Sequence, residues 1–306
     1  WAGRGHVAAS FLLGGLAVGT LRPTNTWDWP AFLALGCAAV VYTALRYGQP
    51  ARLRLAASIN LPVQRFLMAL AGVLALILFS TLLFQPYASW YGEGYNQIDP
   101  WNGPHTPFWS YLTHWGVFLF VIASWLAWET IAWMAATPVS SLNRLRPYRA
   151  VLLGTGLMLV AFSAALWLQG VEIGWVVVWL GAWCAALLLR PGQPDSKRAV
   201  LFMTGAALAL TLFVELAVLQ GDIGRMNTVF KFYLQAWTLL ALSAGTSLFW
   251  ALPALARSWR SGWQTAWETA LALLVAGALL FPVLAGVDKI NDRMVRAAPR
   301  TLDGMT

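Results

Sequence analysis

The stretch WSYLTHWGVFLFVIASWLAWETIAWMAA, residues 109–136, decides the fold. It carries a single formally charged side chain, Glu129. As a helix it would be about 42 Å long, more than the roughly 30 Å hydrocarbon core of a bilayer. Only helices and closed barrels satisfy their own backbone groups in lipid, and this run shows no alternation of apolar and polar residues, so it reads as a membrane-spanning helix. Working outward, comparable runs lie at 7–21, 30–46, 66–84, 150–168, 174–190, 199–219, 228–254 and 267–285. The expected fold is therefore all-α, a polytopic transmembrane helical bundle of about nine spans. Pro30, Pro62, Pro191-Gly192 and Gly221 stand at run ends, where helices start and stop.

Composition points the same way. Of 306 residues, 59% are apolar and 10% charged, with a mean hydropathy of +0.63, which excludes a soluble domain of useful size. A net charge of +8 would suggest nucleic acid in a soluble protein, but here Lys and Arg fall between the apolar runs. Membrane lipid headgroups are the expected partners, and nucleic acid is not. Cys37 and Cys184 both sit inside apolar runs, so neither a disulfide framework nor a thiolate metal site is indicated. Residues 1–306 read as one transmembrane domain, a piece of a longer polypeptide. Its first run reads as a span rather than a signal-peptide core, because no small-residue cleavage site follows.

Orientation follows from the basic residues, which are retained next to spans on the cytoplasmic side. One set of alternating loops holds thirteen of them: Arg4; Arg46, Arg52, Arg54 and Arg65; Arg144, Arg146 and Arg149; Arg190, Lys197 and Arg198; Arg257 and Arg260. The other set, with the tail, holds seven: Arg22, Arg225, Lys231, Lys289, Arg293, Arg296 and Arg300. The expectation is a multi-pass protein of the cell membrane with its N-terminus cytoplasmic and its C-terminus extracytoplasmic. Outer loops fall at 22–29, 85–108, 169–173 and 220–227, and an outer tail at 286–306. Asp28, Glu93, Asp99, Glu172 and Asp222 all lie in those outer loops, against Asp195 alone in an inner one, so chemistry is expected on the outer face.

Three outer clusters carry candidate residues. In Asn25-Thr26-Trp27-Asp28-Trp29-Pro30, Asp28 is either a cap for the incoming helix or a carboxylate on a rigid turn, available as base or metal ligand. The stretch from Gln85 to Phe108 is long enough to be functional or to carry its own short element. Its Glu93, Asp99 and His105 are the candidate set for a divalent cation. The third cluster is Glu215 followed by Gly221-Asp222-Ile223-Gly224-Arg225-Met226-Asn227-Thr228-Val229-Phe230-Lys231-Phe232-Tyr233-Leu234-Gln235. Asn227, Lys231 and Gln235 recur every fourth residue and form one polar stripe about 12 Å long on a helix. An amine inside a span needs a partner, water or an anion. Glu215 can supply the partner for Lys231 or Arg225; alternatively Arg225 and Lys231 hold a phosphate. Glu129 lies apart, nearer the cytoplasmic half.

The run from Asp222 to Gln235, with its RMNTVFKFY core and Asn25–Pro30 upstream, resembles the Chlor_Arch_YYY membrane proteins. The eponymous tyrosine triplet is not found, and Leu234 stands where another Tyr would follow Phe232-Tyr233. That family in turn resembles the GT-C integral-membrane glycosyltransferases. The resemblance implies transfer of a sugar from a polyprenyl-phosphate-linked donor to an extracytoplasmic acceptor. An outer carboxylate, Asp28 or Asp222, would be the base. Arg225, Asn227, Lys231, Gln235, Glu215, Glu93, Asp99 and His105 would bind substrate. A transporter or lipid flippase and a non-catalytic membrane scaffold are the competing readings. The transporter would require polar residues continuing toward the cytoplasmic side.

Overall fold

The computed structural model describes residues 4–49, 60–91 and 97–293. In chain order its helices are α1 (Arg4–Gly19), α2 (Leu21–Thr24), α3 (Asp28–Tyr47), α4 (Leu61–Leu82), α5 (Gln85–Trp90), α6 (Phe108–Ala136), α7 (Arg149–Leu168), α8 (Gly174–Leu188), α9 (Asp195–Leu216), α10 (Met226–Ser258) and α11 (Ser261–Arg293). A 3₁₀ segment, Val139–Tyr148, precedes α7, and two short strands are β1 (Ile98–Pro100) and β2 (Ala217–Leu219). The fold is an all-α polytopic bundle, as its apolar runs require.

Eight described helical segments are long and apolar enough to cross a membrane. The run at 174–190 is the exception, since α8 has only 15 residues. Its flanks nevertheless attach at two depths of α6. Just before α8, Glu172 accepts the backbone N–H of Phe108 at 2.8 Å. Just after it, Arg190 Nη1 lies 3.7 Å from Glu129 Oε2. Phe108 and Glu129 are about 31 Å apart along α6 at the helical rise, so α8 and its turns traverse a full span. The turns before and after α8 therefore lie at opposite ends of α6. Single cysteines at exposed Asn102 and Ser196 should label from opposite sides of the membrane, with Asn102 external. Labelling from one side would overturn the alternation.

Two segments differ from expectation. Residues 217–219, which read as the end of a span, leave the helix and pair antiparallel with β1, Asp99 opposite Val218. Trp101 N–H to the Leu216 carbonyl and Gln220 N–H to the Gln97 carbonyl, both 2.9 Å, extend the ladder. Residues 286–293, expected in a tail, continue α11 past Pro282, although Asp288, Lys289, Asp292 and Arg293 make this stretch polar. The remainder of that tail, 294–306, lies outside the described residues, as do Arg52, Arg54 and Glu93. The long 85–108 connection carries its own elements, α5 and β1.

The chain divides into two compact units, 1–101 with 216–235 and 102–215 with 236–306. In the first, α1 and α3 both pack on α4, and small residues set their spacing. A Cβ at Gly72 would sit 2.7 Å from Val40 Cγ1 and 3.1 Å from Phe11 Cζ, so α4 meets both neighbours through a bare backbone. Gly72→Leu should destabilise by about 3 kcal/mol through overpacking. A melting temperature in detergent equal to wild type would contradict this packing. In the second unit α6 is the core helix, with Trp115, Ile122, Trp125 and Leu126 all buried. Tyr111 and Thr211 share a 3.0 Å hydrogen bond between α6 and α9, and Trp267 of α11 donates to Ser124 of α6 at 2.9 Å.

Candidate functional site

In the first unit the turn before α3 and the start of α10 come together. Gln235, 1% exposed, donates through Nε2 to the Trp27 carbonyl at 2.8 Å and to Asp28 Oδ1 at 2.9 Å. The Trp27 ring meets the Phe232 ring edge-on at 5.9 Å. Asp28 does not cap its own helix, since its carboxylate turns to Gln235 instead. Its Oδ2 accepts no hydrogen bond from the described residues, and Gln235 Oε1 is buried without a partner. Asn227, Lys231 and Gln235 occupy the sheltered side of α10, whereas Met226, Phe230 and Leu234 are exposed. An amphipathic stripe of that kind puts its apolar face to lipid and its polar face to the protein interior.

Asp222 has a different task. Its carboxylate accepts the backbone N–H of Asn227 at 3.2 Å and of Thr228 at 2.8 Å, plus the Thr228 hydroxyl at 2.8 Å. It thereby satisfies donors that the first turn of α10 would leave orphaned. Gly221 and Gly224, with φ of 82° and 64°, supply the left-handed backbone that turns the chain around it. The Thr228 hydroxyl also accepts the Leu219 N–H at 3.0 Å, tying the ribbon to the helix. Burial pushes the Asp222 carboxyl up, but hydrogen bonds from Thr228, Asn227 and Ile223 outweigh it and hold the group below the ordinary carboxylate value.

A depressed folded-state pKa stabilises the protein above the unfolded value of 3.8, and the contribution is lost as pH falls through the folded value. Asp222→Ala should cost about 1–2 kcal/mol near neutral pH, the usual worth of a cap. Equal stability of variant and wild type at pH 7 would refute the capping role.

The Arg225 guanidinium lies 5.5 Å over the Trp101 ring, close enough for cation–π attraction, and Asp99 is exposed on β1. Glu215, His105 and Thr106 belong to the second unit. Glu215 is 0% exposed, and its carboxylate accepts the Thr106 N–H at 2.9 Å and the Thr106 hydroxyl at 2.5 Å. His105 Nδ1 lies 3.4 Å from Glu215 Oε2. Glu215 thus clamps the segment before α6, a partner the sequence reading did not find, because nothing links positions 106 and 215 locally. No group of three or more His, Cys, Asp or Glu assembles among the described residues, and Glu93 is not one of them.

At the other end of α6, Glu129 is 4% exposed and contacts Lys197 Nζ, with Arg190 alongside. Glu129 stands apart in the sequence, and its two cations are Arg190, in the turn after α8, and Lys197, in the first turn of α9.

Lipid-facing helices, loops sorted to opposite ends within the second unit and polar faces turned inward define a multi-pass membrane protein. The chain belongs to the uncharacterized membrane protein family DUF2298, whose model matches residues 2–240. No curated protein and no solved structure matches it.

Proposed function

We propose that the protein is a membrane glycosyltransferase of the GT-C kind, moving a sugar from a polyprenyl-phosphate-linked donor to an extracytoplasmic hydroxyl. The observation that carries this reading is the Asp28–Gln235 contact. It holds one carboxylate oxygen and leaves Oδ2 without a donor among the described residues, beside a polar helix face that includes Lys231. In the proposed step the acceptor hydroxyl gives its proton to Asp28 Oδ2, and its oxygen bonds to the anomeric carbon. The bond from that carbon to the phosphate oxygen breaks, and the electron pair leaves on polyprenyl phosphate. Arg225 and Lys231 offset the charge gathering there. Asp222 is a poorer base, because its hydrogen bonds depress its affinity for a proton.

The phosphate half of the reading is tested by titrating the purified protein with polyprenyl phosphate. Arg225→Lys keeps the charge but loses the planar fork, and binding should weaken about tenfold. Unchanged binding in folded Arg225→Ala would remove the donor site from α10.

A further inference from the structure

At the end of α6 away from Phe108, one carboxylate faces two cations. Lys197 Nζ contacts Glu129 Oε1, and one ammonium neutralises one carboxylate. Arg190 is left over. Its nearest anionic atom, Glu129 Oε2, is 3.7 Å away, beyond hydrogen-bond reach, and its guanidinium makes no hydrogen bond to any described residue. Instead it lies 5.5 Å over the Trp133 ring, with the side chain 21% exposed. A guanidinium stacked on an aromatic face keeps its N–H edge open, and that edge matches two oxygens of a phosphate.

The surrounding turn is built to hold that edge in place. Arg198 donates to the carbonyls of Leu188 at 2.7 Å, Arg190 at 2.9 Å and Gln193 at 3.1 Å, so the backbone of the turn is held by a guanidinium that uses each of its three nitrogens. The same turn carries Gln193, 2% exposed, with its Nε2 buried and without a hydrogen-bond partner among the described residues. Lys197 also has ammonium hydrogens to spare, and it lies 5.9 Å over the Trp250 ring. The cluster therefore combines an excess positive charge with unused donors on Arg190, Gln193 and Lys197. Asp195, at the start of α9, is the other carboxylate in the turn and has a partner of its own. Glu129 lies seven residues from the helix end at Ala136, about 10 Å along the axis, a depth that a phosphate at a membrane surface can reach.

We propose that Arg190, Gln193 and Lys197 form a binding site for a single anionic phosphate group, separate from the α3–α10 site. Two sources share this chemistry, an anionic phospholipid headgroup and free phosphate. The test is native mass spectrometry of the full chain in detergent, titrated with phosphatidylglycerol and, in parallel, with phosphatidylcholine, whose phosphate is balanced by its own cation. Wild type should retain phosphatidylglycerol about tenfold better. Arg190→Gln should abolish that preference, and Arg190→Lys, which preserves charge and fold, should reduce it about threefold by losing the fork. Gln193→Leu should also lower retention without lowering the melting temperature. Competition by inorganic phosphate at equal concentration would identify a free phosphate as the ligand; lipid retained against it would identify the headgroup. Equal retention of both lipids by wild type, or undiminished preference in folded Arg190→Gln and Arg190→Lys, would overturn the site.

Discussion

Replacing Asp28 by Asn should cut sugar transfer by about 10²–10⁴-fold, the range for loss of a positioned general base, while leaving the protein folded and able to hold polyprenyl phosphate. The substitution keeps the size of the side chain. Its amide oxygen can still accept the Gln235 Nε2 hydrogen bond, so the turn before α3 stays joined to α10. What is lost is the ability of the second oxygen to take a proton. Gln235→Leu separates positioning from proton transfer: it removes the 2.9 Å contact and should lower transfer less, because the carboxylate remains but is no longer aimed. Transfer by Asp28→Asn at the wild-type rate would exclude Asp28 as the base.

Lys197→Met should destabilise the second unit by about 3–5 kcal/mol, the largest stability effect expected in the chain. The physical reason is Glu129, 4% exposed and held by Lys197 in an apolar helix. Without the ammonium, a buried carboxylate faces only the more distant Arg190, at 3.7 Å. Adding Glu129→Gln removes the uncompensated charge, so the double variant should recover most of the loss. Thermal unfolding in detergent reads both. If the double variant were no better than the single one, the two effects would be independent and the pair would not be the cause.

How much of this was legible in the sequence depends on the range of the forces involved. The spans were legible because each apolar run reports its own transfer from water, residue by residue. The run at 174–190 was found although its helix has only 15 residues, since hydropathy does not distinguish a helix from its apolar flanks. For the same reason 217–219 read as helix: three apolar residues carry no period, and only pairing with residues 98–100 makes them a strand. The inward stripe of Asn227, Lys231 and Gln235 was legible from its spacing. The partners of individual groups were not. Asp28 meets Gln235 across 207 positions, and Glu215 meets Thr106 across 109. Asp222 looked like a catalytic candidate because a carboxylate before a helix is compatible with both capping and chemistry; the hydrogen bonds to Asn227 and Thr228 point to capping.

The proposed reaction moves sugar from a polyprenyl phosphate, with Asp28 as base. Vesicles carrying the full-length protein, supplied with a polyprenyl-phosphate donor labelled in its sugar and with native membranes as acceptor source, test it most directly. Label should leave the donor lipid for a new product as free polyprenyl phosphate accumulates, and Asp28→Asn vesicles should do neither. Label remaining on the donor lipid with wild-type protein, or identical turnover in both preparations, would contradict it.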